Sequence, residues 1–137
     1  MWWIYALLSA LFASLTAIFA KIGVTDVNSN LATAIRTVII LVVAWGIVLF
    51  RGEYKGLHSL SKHSLFFLVI SGLATGLSWI FYFKALQIGK VSQVAPVDKL
   101  SVALTIVLAV LFLGEALNWK TALGAGLIIG GTLVLIF

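Results

Sequence analysis

Five long apolar segments, separated by short polar stretches, constrain this chain more than any other feature. They cover residues 2–20, 31–50, 65–86, 91–113 and 120–137. Each is close to the roughly 20 residues that an α-helix needs to cross a bilayer. A soluble domain of 137 residues could not bury a sequence that is 63% hydrophobic and 9% charged, because so small a fold has too much surface for its volume. We therefore predict an all-α integral membrane protein, with residues 1–137 forming one domain of five transmembrane helices.

The polar remainder excludes several classes of function. The chain has no cysteine, which excludes disulfides, thiolate nucleophiles and cysteine metal sites. His58 and His63 lie in the hydrophilic stretch 51–64 without carboxylates at ligand spacing, and no nucleophile–base pair or phosphate-binding loop is visible. Most basic residues behind the net charge of +5 flank the apolar segments, as membrane anchoring requires. We predict no enzyme, no cofactor, no metal site and no nucleic-acid partner.

The tetrad Pro96-Val97-Asp98-Lys99 interrupts the fourth apolar segment. Ionisable residues at that depth are costly to keep in hydrocarbon and usually mark a substrate or ion pathway. Pro96 has no backbone N–H, so the carbonyl of Ser92 is left without its helical partner. Transporters use interrupted helices near the bilayer midplane to expose backbone groups to substrates. We therefore predict a helix break at Ser92 and Pro96, and a functional site at Asp98 and Lys99.

Each of these two charges needs a partner. Because Asp98 and Lys99 are adjacent on a helix, they should point about 100° apart and not face one another. Arg36 in the second segment is then the natural partner for Asp98, which leaves Lys99 to face a cavity, an anionic substrate or a carboxylate of a partner subunit. Two structural interpretations stay open. The Asp98–Arg36 pair could serve only to hold two helices together, and the side chain of Lys99 could simply extend to the membrane surface.

The charges inside the membrane are predicted to lie toward one side of it. We denote the side that holds the N-terminus as X and the opposite side as Y. At 1.5 Å per residue, Asp98 and Lys99 lie roughly 10–12 Å from the Y end of the fourth segment, and Arg36 roughly 7–8 Å from the Y end of the second. We expect a polar cavity that opens toward Y. Further candidates for substrate binding or coupling there are Ser101, Trp79 and Tyr82. Such aromatic residues are more often interface anchors or core.

The basic residues indicate orientation only weakly. Side X receives Arg51, Lys55, Lys62 and Lys120, and side Y receives Lys21, Arg36, Lys84 and Lys90. If Arg36 and Lys84 are discounted because they lie inside their spans, side X leads and the N-terminus is cytoplasmic by the positive-inside rule. A chain with near-equal counts can instead insert in both directions and form an antiparallel dimer. Such a dimer recreates the inverted repeat of many transporters.

Small residues recur every four positions in the fifth segment, at Ala122, Gly126 and Gly130. A stripe of this kind allows close approach of two helix backbones. It indicates either packing within one subunit or a seam between two subunits, and the sequence leaves both interpretations open.

Four short motifs follow one another along the chain. They are Tyr82-Phe-Lys-Ala-Leu-Gln-Ile-Gly, Ser92-Gln-Val-Ala-Pro96, Phe112-Leu-Gly-Glu115, and Trp119-Lys-x-x-x-Gly124 followed by Gly130-Gly131. Together they resemble the EamA domain of the drug/metabolite transporter superfamily, in a single-domain five-helix form. Asn30-Leu-Ala-Thr-Ala-Ile-Arg36 is similar to the stretch in which that domain places an arginine in its second helix.

The resemblance implies a fold and an assembly. Typical members carry two such domains, which give ten helices in inverted orientation with the substrate cavity between the halves. For a chain with one domain, the resemblance implies a homodimer or a heterodimer with a paralogue. The Asp98-Lys99 pair departs from the commoner apolar residues that follow the proline in the family.

We predict a secondary transporter of small metabolites that works by alternating access, as a dimer that is antiparallel. The basic residues toward Y favour an anionic or zwitterionic solute. The expected location is a bacterial plasma membrane. The alternative is a membrane subunit that does not transport but stabilises a partner, or a subunit of a lipid-carrier flippase.

Overall fold

The computed structural model describes residues 1–137 and contains six α-helices and no strand. The helices are α1 (Trp2–Gly23), α2 (Ser29–Phe50), α3 (Lys62–Ile88), α4 (Val91–Asp98), α5 (Leu100–Leu113) and α6 (Trp119–Ile136). A 3₁₀ helix (Glu53–Ser59) lies between α2 and α3. Five helical stretches are long and apolar enough to cross a membrane, with Val91–Leu113 counted as one. The predicted fold class is confirmed, and the fourth span is divided between α4 and α5.

Polar side chains and one glycine define the ends of these helices. The side chain of Asn28 accepts hydrogen bonds from the N–H groups of Asn30 and Leu31 and so begins α2, and Asn118 accepts from the N–H of Thr121 at the start of α6. Such N-caps satisfy donors that have no partner inside the helix. At the end of α5, Gly114 adopts a φ of 67°, a left-handed conformation that is strained for residues with a Cβ.

The chain forms two compact units. The first, the terminal unit, comprises residues 1–19 and 88–137, and the second, the central unit, comprises residues 20–87. In the central unit the end of α1, the start of α2 and the end of α3 meet around residues that are nearly inaccessible to solvent, among them Val24, Phe83 and Leu86. In the terminal unit α6 packs on α4 and α5. Its buried residues include Ala103 and Thr132.

The packed face of α6 is not the small-residue stripe. Ala122, Gly126 and Gly130 are all exposed, and a Cβ added to either glycine would meet no atom within 4 Å. The residues of α6 with reduced exposure are instead Thr121, Gly124, Ala125, Ile128, Thr132 and Ile136. Packing within the terminal unit therefore does not use the stripe, and a seam between subunits stays a prediction.

Candidate functional site

The fourth span is interrupted at Lys99. The helix α4 contains Pro96 and ends at Asp98, and Lys99 has a φ of −70° and a ψ of −10°. The N–H of Lys99 lies 3.3 Å from the carbonyl oxygen of Ala95 and 3.0 Å from that of Pro96. A shift from the i−4 to the i−3 acceptor is a local tightening of the helix. The helix had been predicted to break at Ser92 and Pro96. The interruption lies instead at Lys99, three residues after the proline.

Asp98 and Lys99 form an ion pair with each other at this interruption. The Nζ of Lys99 lies 3.2 Å from an Oδ of Asp98, and the side chains are 58% and 34% exposed, respectively. The prediction that the two adjacent residues cannot face one another is wrong. The 100° separation applies to the Cβ directions, whereas the four-carbon stem of lysine is long and flexible enough to bring its ammonium back to the neighbouring carboxylate. Lys99 is therefore an ion-pair partner of Asp98, a role that had been predicted for Arg36.

The carbonyl of Pro96 has a second neighbour that sequence reasoning missed. The hydroxyl oxygen of Thr132 in α6 lies 3.2 Å from the Pro96 carbonyl oxygen and 2.8 Å from that of Ile128. Thr132 is only 4% exposed. A threonine hydroxyl has one proton to donate, so this side chain divides its donor between its own helix and the interrupted span. The signal in the sequence was a lone hydroxyl directly after Gly130-Gly131, in the apolar C-terminal half of α6.

Ser101 lies in the first turn of α5, two residues beyond the interruption. Its carbonyl oxygen accepts a hydrogen bond of 2.7 Å from the hydroxyl of Thr105. The Ser101 side chain is exposed, as is that of Ser92 near the start of α4. Asp98, Lys99 and Ser101 therefore lie within four consecutive residues at the interruption of the fourth span.

Arg36, in the central unit, lies against aromatic rings. Its Cζ is 4.4 Å from the centroid of the Phe83 ring and 5.2 Å from that of Trp79. The ring of Tyr82 meets that of Phe83 edge-on, with 6.1 Å between the ring centroids. Aromatic faces attract a guanidinium within about 6 Å. The predicted residues Arg36, Trp79 and Tyr82 are thus brought together, and Phe83, which is fully buried, supplies the nearest ring.

Hydrogen bonds join the end of α3 to the end of α1 and to the connection between α1 and α2. The Nζ of Lys21 donates a hydrogen bond of 2.6 Å to the carbonyl oxygen of Leu86. The side-chain amide of Gln87 donates to the carbonyl oxygens of Val24 and Val27, at 3.3 Å and 3.0 Å. A cation is favourable at the C-terminus of a helix, where carbonyl groups have no partner within it. These contacts hold the aromatic residues of α3 in position beside Arg36.

The fold and these sites define the chain as a polytopic helical membrane protein with ionisable groups inside its spans. The EamA-like transporter family matches residues 1–137, and the chain belongs to this family.

Two relatives have nearly the same length as this chain. One, an uncharacterized transporter in the cobO 3′ region of Sinorhizobium sp., is 49% identical over 134 residues, which are 98% of this chain and 95% of the relative. The other is an uncharacterized protein of Methanocaldococcus jannaschii. It is 30% identical over 132 residues, which are 96% of this chain and 93% of that protein. No solved structure is significantly similar to the chain.

Proposed function

We propose that the protein is a secondary transporter of small metabolites that works by alternating access. The observation that carries the proposal is the Asp98–Lys99 ion pair at the interruption of the fourth span. An ion pair that merely joined two helices would link residues of different helices, whereas this one joins neighbours in the chain. Such a pair is poised to open, because a solute or ion can compete for either charge without separating two helices.

We further propose that the solute is anionic or zwitterionic. Arg36 lies against the rings of Phe83 and Trp79 and forms no ion pair with a carboxylate of the central unit. A guanidinium within a membrane span that is oriented by rings retains its hydrogen-bond donors for a ligand. The planar fork of donors on the guanidinium can bind two oxygens of a carboxylate or phosphate group at once.

The proposed working unit is a dimer with an antiparallel arrangement, formed with a second copy or with a paralogue. The chain has five spans, and the two relatives are of almost equal length. In each span, at most 11% of the residues are buried, so most of every helix surface is left for lipid or for another subunit. Two opposed copies would together provide the inverted repeat on which alternating access depends in many transporters.

Uptake by proteoliposomes tests the transport proposal. A thermal-shift screen of carboxylates, phosphates and zwitterions first selects a solute that stabilises the purified protein, since a ligand that binds only the folded state raises its stability. Asp98→Asn and Lys99→Met each remove one charge of the pair, and Arg36→Gln removes the proposed anion receptor. We expect each variant to fold and to lose at least about tenfold in uptake, because loss of one charge-assisted contact corresponds to about 1.4 kcal/mol or more.

The control is Glu53→Gln, which breaks the exposed Arg51–Glu53 ion pair of 2.9 Å in the connection between α2 and α3. This variant should retain wild-type uptake, because exposed ion pairs contribute little to stability. If the Asp98 and Lys99 variants aggregate or lose a partner protein while no solute is ever taken up, the chain is a subunit that stabilises a partner, a lipid-carrier flippase among them, and the transport proposal fails.

A further inference from the structure

The connection between α2 and α3 plays no part in the sites described above. The helix α2 ends at Phe50 and α3 begins at Lys62, and both are long and apolar enough to cross a membrane. A short connection between two such helices has to lie at the membrane surface, here on side X. It contains the 3₁₀ helix Glu53–Ser59, which is therefore held where lipid headgroups meet the acyl chains.

The 3₁₀ helix has one apolar face. A helix of this type has three residues per turn, so residues three apart lie above one another. Tyr54, Leu57 and Leu60 have this spacing. The N–H of Leu60 donates to the carbonyl oxygen of Leu57 at 3.4 Å, which makes Leu60 part of the last turn. The three residues are 44%, 51% and 43% exposed, so the protein itself leaves about half of this face uncovered.

Basic residues lie beside the apolar face. Lys55 and His58 are three residues apart and share the next face of the 3₁₀ helix, and Lys62 is the first residue of α3. All three are exposed. The ion pair of the central unit joins Arg51 to Glu53 at 2.9 Å, which leaves the ammonium groups of both lysines without a carboxylate of that unit. The connection thus combines an apolar face with unpaired positive charge.

The start of α3 makes this positive charge unfavourable within the protein itself. The N-terminus of a helix carries a partial positive charge, so an acidic residue in the first turn is stabilising and a cation is not. The first turn of α3 contains Lys62 and His63 and no acidic residue. An anion from outside the protein would offset this charge.

We propose that residues 51–63 form a membrane-surface anchor that binds anionic phospholipids. The apolar face of Tyr54, Leu57 and Leu60 enters the boundary between headgroups and acyl chains, and the ammonium groups of Lys55 and Lys62 bind lipid phosphates. Elements with one apolar face and basic residues beside it lie in the interface in this way, and anionic lipids strengthen the binding. The inference does not depend on whether the protein transports a solute.

The absence of native cysteines allows a fluorescent probe to be placed on either face of the 3₁₀ helix. Leu57→Cys carries a bimane on the apolar face, and Ser59→Cys carries it on another face as the matched control. The full-length proteins are reconstituted in phosphatidylcholine vesicles in which a fixed fraction of the lipid bears a nitroxide near the start of one acyl chain. We expect the nitroxide to quench the probe at position 57 at least about twofold more than the probe at 59, because the apolar face alone reaches the acyl chains.

The same probe at position 57 measures the preference for anionic headgroups. Nitroxide-labelled phosphatidylglycerol replaces labelled phosphatidylcholine at an equal mole fraction, and we expect about two- to fivefold stronger quenching, since lysines near the surface attract anionic lipid. The double substitution Lys55→Gln and Lys62→Gln should abolish this preference, and high salt should weaken it. The control is Lys90→Gln, which removes the same charge just beyond the opposite end of α3 and should leave the preference unchanged.

Three results overturn the proposal. Equal quenching at positions 57 and 59 means that the apolar face does not enter the interface. A preference for phosphatidylglycerol that is absent, or that survives the loss of both lysines, means that these charges bind no anionic lipid. Quenching at 57 that appears only when the protein is diluted in lipid means that a second copy covers the face. Every substitution is at an exposed side chain, so all variants should give the circular dichroism of the wild type.

Discussion

Replacement of Thr132 by valine tests whether α6 stabilises the interrupted fourth span. Valine has nearly the volume of threonine, so the change leaves no cavity and removes one hydroxyl donor. That donor lies 3.2 Å from the Pro96 carbonyl oxygen and 2.8 Å from the Ile128 carbonyl oxygen. Because Thr132 is only 4% exposed, no lipid headgroup or bulk water can easily replace the lost bond.

We expect Thr132→Val to cause only a modest loss of stability, because the hydrogen bond to Pro96 is long. A separation of 3.2 Å is at the long end for a hydroxyl donor. The Pro96 carbonyl also keeps the N–H of Lys99 at 3.0 Å, so it is not left unsatisfied and the full penalty of a buried orphan does not apply. Hydrogen bonds between helices in membranes average about 0.6 kcal/mol and reach about 1.7 kcal/mol. We therefore expect Thr132→Val to lower the free energy of unfolding by about 0.5–1 kcal/mol.

Unfolding in mixed detergent micelles, followed by circular dichroism, measures the free energy, and amide hydrogen exchange locates the change. Exchange should accelerate in the peptide that spans Pro96 to Val102 and stay unchanged in α3. The matched control is Thr75→Val, since the Thr75 hydroxyl is exposed and bonds only to the Ser71 carbonyl of its own helix, at 2.9 Å. A Thr132→Val protein that matches the wild type in both measurements, or an equal loss in the Thr75→Val protein, would contradict this role of Thr132.

Two further predictions concern the core and the assembly. Phe83→Ala should lower stability by about 3–5 kcal/mol, the usual range for a fully buried phenylalanine, whereas Phe81→Ala should have a small effect because that ring is 72% exposed; equal melting temperatures for the two variants would contradict the buried role of Phe83. A reporter fused after Phe137 should give signal from both sides of the membrane if identical copies form an antiparallel dimer, and a signal from one side alone would leave only a parallel dimer or a paralogue as partner.

The five spans could be predicted from sequence because length and hydropathy are local properties. A stretch of about 20 apolar residues has few alternatives to a helix in lipid, where every backbone N–H and C=O group must be bonded within the chain. Some helix boundaries also depend on local residues, as at Gly114 after α5 and Asn118 before α6. The predicted membership of the EamA family is confirmed by the match over residues 1–137.

The partners of the charged residues could not be predicted in this way. The sequence indicated that Asp98, Lys99 and Arg36 were costly in the membrane and needed partners. Helix geometry then argued against the Asp98–Lys99 pair that the structure shows. The reason is that helix geometry fixes the direction of each Cβ atom but not the position of the ammonium group at the end of a lysine side chain. Arg36 lies against two aromatic rings, and the sequence did not indicate this because a guanidinium is attracted by aromatic faces as well as by carboxylates.

The sequence by itself therefore determined the number of spans and, to within a few residues, their positions in the chain. Tertiary structure alone decided which face of each helix is packed, as in α6, where Thr132 is buried while Gly126 and Gly130 are exposed. The physical reason is that lipid and protein interior are about equally apolar, so hydropathy does not distinguish a packed face from one in contact with lipid. Which hydroxyl meets the interrupted span follows only from how the helices pack.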